Sequence, residues 1–286
     1  MSNSIHEMRA GERRGTRYWI SLSVIGMIGG VLSGLFAIGG GIIMIPLLVT
    51  FAKLNQRDAS ATSLASIIPA AIVGSLTYLV NGEIDLLAGL FIAIGAVIGT
   101  IIGSALLRQL PLAWLRWMFI AFLLLVAARL FLVAPVRGGS LTLTAGVALG
   151  YVALGLVMGI ASGVFGIGGG IIVVPALVAV FSISDLVAKG TSLLVMIPTS
   201  VVGTAANRRT GAVDVRAGLV VGVAATVAAI PGARLALAIS PKLSGVVFAL
   251  LLVAVAAQLT VRAVRLSQAS RPPSHVGVPT TNTQDR

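Results

Sequence analysis

Residues 34–49 read GLFAIGGGIIMIPLLV, and residues 163–178 read GVFGIGGGIIVVPALV. Eleven of these 16 paired positions are identical. The copies lie 129 residues apart, and the same offset holds without a gap well beyond the motif. Gly26 pairs with Gly155, Thr62-Ser63-Leu64 with Thr191-Ser192-Leu193, and Pro69 with Pro198. Gly82 pairs with Gly211, Asp85 with Asp214, and Gly103 with Gly232. A duplicated apolar half with a glycine-broken segment in each copy is a plan shared by many secondary transporters. It implies a site where the two copies meet.

Composition names the solvent. The chain has 286 residues, 57% hydrophobic and 10% charged, with a mean hydropathy of +1.07. A soluble domain carries about 25% charged residues. This chain cannot cover itself with polar surface, so a lipid bilayer is its expected surrounding. It has no Cys, hence no disulfide framework and no thiolate metal site. Its two His, His6 and His275, sit in polar end segments, which argues against a histidine metal centre or buried relay. No cofactor is expected. The net charge of +12 would suggest nucleic acid in a soluble protein. Here most Lys and Arg lie in the tails and between apolar blocks, so the charge reads as membrane topology and no nucleic-acid partner is expected. The polar, basic start reads as a retained cytoplasmic tail rather than a signal peptide. The Pro-rich end reads as disordered.

Eight apolar blocks follow one another: 18–52, 59–80, 84–107, 112–135, 141–181, 186–206, 212–239 and 243–261. The expectation is an all-α, polytopic transmembrane bundle of two repeats with 8–10 spans. The repeats are 18–137 and 138–266, between tails 1–17 and 267–286. Spanning takes about 20 apolar residues. The first and fifth blocks, about 35–40 residues each, would overshoot the hydrocarbon by roughly 20 Å as continuous helices. Both carry the GGG motif near the middle, which suggests a helix, a break, then a second helix or half-helix. If each long block crosses once, there are eight spans. If each crosses twice, there are ten, and the second repeat is inverted relative to the first. The distribution of Lys and Arg favours the inverted version. Both versions put the two termini in the cytoplasm.

Gly39-Gly40-Gly41 and Gly168-Gly169-Gly170 are candidate substrate-binding segments. Unwound backbone in hydrocarbon is tolerated only where protein buries it or it lines a wet cavity. Free N–H groups at the resulting helix ends carry partial positive charge and can hold an anion without a side-chain cation. The alternative is that the glycines only permit tight helix crossing. Pro46 and Pro175 follow five residues later, so each motif is read as having two breakers around a short IIMI or IIVV stretch. Thr62, Ser63, Thr191 and Ser192 are further candidates, either capping a helix N-terminus or binding oxyanion oxygens. Pro69 and Pro198 are expected to kink their helices and, with Pro46 and Pro175, to serve as hinges. Asn207 reads as a helix cap or solvated end. Arg129 and Arg234 are the deepest charges, and no block has a central carboxylate for a proton relay.

GLFAIGGGIIMIPLL, GVFGIGGGIIVVPAL and the following KGTSL resemble the sulfite exporter TauE/SafE family of membrane permeases. The likeness covers about residues 18–265. The resemblance implies a cytoplasmic-membrane transporter of small, often sulfur-containing anions such as sulfite, sulfoacetate or other organosulfonates. The first copy departs at Ala37, where the second has Gly166, and at Ser60-Ala61, where the second has Lys189-Gly190. The expected partners are therefore a small anion and the bilayer, with a proton or other coupling ion left open, as is the oligomeric state. The rivals are a passive anion channel and the membrane subunit of an ATP-driven transporter. No GxxxxGK[ST] is present, so the latter would draw its energy from another chain. A membrane enzyme lacks its usual His, Asp, Glu or Cys constellation in the blocks.

Overall fold

The computed structural model describes residues 15–132, 144–209 and 211–269. The described elements are all helical, and they fall into two series of five. The first is α1 (Thr16–Phe36), α2 (Gly41–Phe51), α3 (Gln56–Val80), α4 (Leu86–Gln109) and α5 (Leu112–Leu132). The second is α6 (Ala145–Phe165), α7 (Gly170–Ala179), α8 (Asp185–Arg208), α9 (Val215–Ala238) and α10 (Pro241–Ala269). Seven of them, α1, α3, α4, α6, α8, α9 and α10, are long and apolar enough to cross a membrane. The 21 residues of α5 match α1 and α6 in length. Helices α2 and α7, of 11 and 10 residues, are about 15–16 Å long, half of a hydrocarbon core.

Glycine contacts set the helix directions. Gly26, Gly30 and Gly34 on α1 face Val221, Ala225 and Ala229 on α9, in rising order, so these helices are parallel. Gly95, Gly99 and Gly103 on α4 face Val152, Leu156 and Ile160 on α6 in the same way. In both seams an added Cβ would strike a partner carbonyl at 2.0–2.4 Å, so only glycine permits the approach. The central pair, α3 and α8, runs antiparallel: Leu64 meets Gly203 and Leu193 meets Gly74. Thr62, early in α3, accepts a hydrogen bond from the backbone of Asp214, just ahead of α9. Thr191, early in α8, accepts one from Asp85, just ahead of α4. Helices α1, α3 and α9 therefore start at one face of the molecule, and α4, α6 and α8 at the other. Helix α10 also starts at the second face, where Phe248 stacks on Phe36 with ring centroids 4.9 Å apart. Its 29 residues run back, so α10 ends at the face where α1 begins. We name this the terminal face, and the opposite one the far face.

The glycine break after α1 turns the chain back. Gly40 returns to the backbone of Gly29, and Met44 packs on Gly29. Helix α2 then runs from the middle of the molecule to the terminal face, where residues 52–55 lead into α3. Helix α7 does the reverse: it leaves the middle and ends at the far face, ahead of α8. The long blocks thus neither cross once nor cross twice. Each makes one full crossing and a half-length return. The motif prolines are also not breakers. Pro46 and Pro175 lie inside α2 and α7. A single proline removes one intrahelical hydrogen bond, which these enclosed helices tolerate. Pro69 and Pro198 likewise lie within α3 and α8.

Candidate functional site

Local backbone chemistry builds the centre. Helix α1 ends at Ala37 and α6 at Gly166, both left-handed, with φ of 55° and 71°. Gly39, Gly40, Gly168 and Gly169 also have positive φ, from 67° to 88°. Three such residues in each copy reverse the chain within a few positions, and all but Ala37 are glycine, which does so without strain. Gly40 and Gly169 then serve as the N-caps of α2 and α7, with no side chain to accept from the first turn. Of the helices starting at the faces, five are capped by a side-chain acceptor: Asn55, Asp85, Thr144, Ser184 and Asp214. Helix α1, with Gly15 at its N-cap, is not, but it starts at the terminal face and not in the middle of the molecule. The initial N–H groups of a helix have no intrahelical acceptor. In α2 and α7 this donor-rich end sits in the middle of the molecule, coming from opposite faces.

The two breaks touch. Gly41 lies against the carbonyl of Gly166 and the Cα of Ile167, and Gly170 lies against the carbonyl of Ala37 and the Cα of Ile38. Gly39 and Gly168 both abut Met196 and Ile67, from α8 and α3. Residues 37–45 and 165–171 are all buried, so the junction is closed to both faces.

The Thr-Ser pairs clamp this junction. The Ser63 hydroxyl donates to the carbonyls of Gly166 and of Ser60. The Ser192 hydroxyl donates to Ala37 O at 3.2 Å. Each serine therefore holds the break that belongs to the other half. Thr62 and Thr191 hold the starts of α9 and α4, at 3.1 and 2.9 Å. None of the four is a helix cap, contrary to the capping alternative. The helices begin seven residues earlier, at Asn55 and Ser184, and the pairs sit in the second turn. Asn207 is neither a cap nor solvated: it is 1% exposed, and its side chain donates to Gly203 O at 2.9 Å. Sequence reasoning missed two partners. Tyr78 is buried and donates to Gly34 O at 3.0 Å. Lys189 is 2% exposed, bound to Asp185 at 2.6 Å and to Ser244 at 3.0 Å. The Tyr78–Gly34 bond joins residues 44 apart, which no local pattern announces.

Arg234 is exposed and lines an open groove of 480 Å³ at the far face with Thr77 and Asn81, away from the glycine junction. The side chain of Arg129 lies outside the described residues. Among the described residues no cluster of His, Cys, Asp or Glu could hold a metal. The centre among the described residues is built of backbone groups and hydroxyls, and the N–H groups at the start of a helix are donors that can meet an anion.

The comparisons agree with the class this fold defines, a helical membrane transporter. The family model described as Sulfite exporter TauE/SafE matches residues 2–130 and 151–282. The chain belongs to this TauE/SafE family. It is 28% identical over 220 residues to the Probable membrane transporter protein YunE of Bacillus subtilis, covering 68% of this chain and 80% of that protein. It is 30% identical over 193 residues to YdhB of the same organism, also named a probable membrane transporter protein, covering 65% and 77%. A 116-residue stretch, 38% of this chain, is 29% identical to MamO of Paramagnetospirillum magneticum, over only 18% of that longer protein.

Proposed function

We propose that this protein is a secondary transporter that moves a small anion across the cytoplasmic membrane by alternating access. The observation that carries the reading is the meeting of the α2 and α7 N-termini, uncapped by side chains, at the closed junction of the two glycine breaks. Half-helix N-termini directed at a midplane site are a recurrent way to hold an anion. Gly39, Gly40, Gly41, Gly168, Gly169 and Gly170 supply the backbone donors in this proposal. Ser63 and Ser192 hold the breaks and can re-donate to substrate when these part, and Thr62 and Thr191, which accept at the starts of α9 and α4, have a hydroxyl hydrogen to offer. Pro46, Pro69, Pro175 and Pro198 are the proposed hinges.

The two halves, offset by 129 residues, act as inverted repeats in this reading. Three features favour it. The offset exchanges the α1–α9 seam with the α6–α4 seam, it exchanges Ser63→Gly166 with Ser192→Ala37, and α1 and α6 run in opposite senses. Arg17, Lys53, Arg57, Arg108, Arg208, Arg209 and Arg216 fall at the terminal face, against Lys189, Arg234 and Lys242 at the far face. The positive-inside rule then makes the terminal face cytoplasmic. The family name and the neutral donor set favour a sulfur-containing oxyanion or organosulfonate, such as sulfite or sulfoacetate.

Uptake of labelled sulfite, sulfate and sulfoacetate into proteoliposomes, with and without a pH gradient, tests the function. The expected result is saturable, gradient-sensitive flux of one anion. Flux that never saturates and ignores every gradient would indicate a channel instead.

A further inference from the structure

The two sides of the glycine junction differ in polarity. On the terminal-face side, α3, α4, α6 and α8 converge. Gly166 rests on the backbone of Ser60, Gly163 rests on Thr100 and Ser104, and the Thr100 methyl touches the Gly203 position. This convergence carries four serines, Ser60, Ser104, Ser162 and Ser200, each fully buried and each with a hydroxyl that has no hydrogen-bond partner. Hydroxyls in membrane helices ordinarily bond a carbonyl three or four residues back. Ser66, Thr77, Thr100 and Thr199 do so here. The four serines do not, and unpaired buried donors are costly to keep.

The 129-residue offset gives the matching positions on the far-face side. They are Lys189, Ala233, Ser33 and Ala71. Of these four, only Ser33 has an unpartnered hydroxyl. Lys189 is occupied by Asp185 and Ser244. Tyr78, whose match is Asn207, fills the same half and is bonded to Gly34. Apart from Ser33, the matching far-side positions are apolar or satisfied. The terminal side keeps free donors.

We propose that Ser60, Ser104, Ser162 and Ser200 form a second anion station between the glycine junction and the terminal face. Burying a dianion costs about four times the desolvation of a monoanion of the same size, and four neutral hydroxyls bring no counter-charge to offset it. The station therefore takes a monovalent oxyanion, a sulfonate in preference to sulfate. It deepens the transporter reading by giving the substrate class and the side of entry. Its test does not require flux.

The chain has no Cys, so single cysteines report cleanly. Ser60→Cys, Ser104→Cys, Ser162→Cys and Ser200→Cys, with Ser33→Cys, Ala71→Cys and Ala233→Cys for comparison, are placed one at a time in proteoliposomes of known orientation. The probe is the membrane-impermeant sulfonate reagent methanethiosulfonate ethylsulfonate, and Arg209→Cys is the exposed control. The first four are expected to react at least tenfold faster from the terminal face than the other three. Unreactive ethanesulfonate is expected to slow them at least fivefold, with sulfate at equal concentration having little effect. Four silent positions beside a reactive control would overturn the proposal. So would labelling that ethanesulfonate does not slow, which would mean a water path only. Protected labelling in a protein without flux would leave the station standing and remove the transport reading.

Discussion

At the scale of the residue, the two copies solve one geometric problem with different side chains. The α1 break starts at Ala37 with φ of 55°, where the α6 break has Gly166. A left-handed alanine costs about 1–2 kcal/mol. Ala37→Gly is therefore expected to raise the melting temperature of the purified protein, by an amount equivalent to roughly 0.5–1 kcal/mol after the extra chain entropy of glycine. Gly166→Ala is expected to lower it by more than that strain alone, because its Cβ would meet the Ser60 carbonyl at 2.2 Å. Equal responses of the two sites would contradict this geometry. A second exchange is volumetric: Met44 of α2 covers Gly29, and Met158 of α6 covers Gly169. The glycines and the Thr-Ser pairs stood out in the sequence because they recur. Their roles did not, because Ser63 bonds a residue 103 positions away. A cap was the only local role on offer.

At the scale of the element, the half-helices were legible as an excess of length, since the first and fifth blocks were too long for one crossing. Their return was not legible, because a proline in a sequence looks the same whether it ends a helix or sits within one. Packing here runs on close backbone approach. Gly99→Leu is expected to push α4 from α6 and sharply reduce the folded fraction seen by size-exclusion chromatography in detergent, since Leu156 O is 2.2 Å from the Cβ position. Gly245→Ala in α10 meets nothing within 4 Å. It is expected to stabilise by roughly 0.5–1 kcal/mol through helix propensity alone. Lys189 ties α8 to α10. Removing one partner of a buried pair costs about 3–5 kcal/mol. Lys189→Met is therefore expected to lower the melting temperature strongly, with part of the loss recovered in Lys189→Met/Asp185→Asn, where no bare carboxylate remains.

At the scale of the whole molecule, the antiparallel α3–α8 pair forms the centre, and the parallel α1–α9 and α4–α6 seams flank it. Each seam joins a helix from one half to a helix from the other, so neither half buries its glycine face alone. The sequence offset could pair like positions, but it could not say that each half's break is clamped by the other's serine. The account rests on the crossing of the two breaks as the place where substrate is held. Gly39 and Gly168 test it with little steric damage: their Cβ positions meet only the Ile167 carbonyl, at 3.1 Å, and side-chain atoms at 3.0 Å or beyond. Ala37 shows that this segment accepts a positive-φ alanine. The decisive measurement is anion flux into proteoliposomes by Gly39→Ala/Gly168→Ala against the unaltered protein, at matched insertion and normalised to folded protein, since two left-handed alanines cost about 2–4 kcal/mol of stability. The account predicts a fall of at least tenfold. Flux equal to that of the unaltered protein would contradict it.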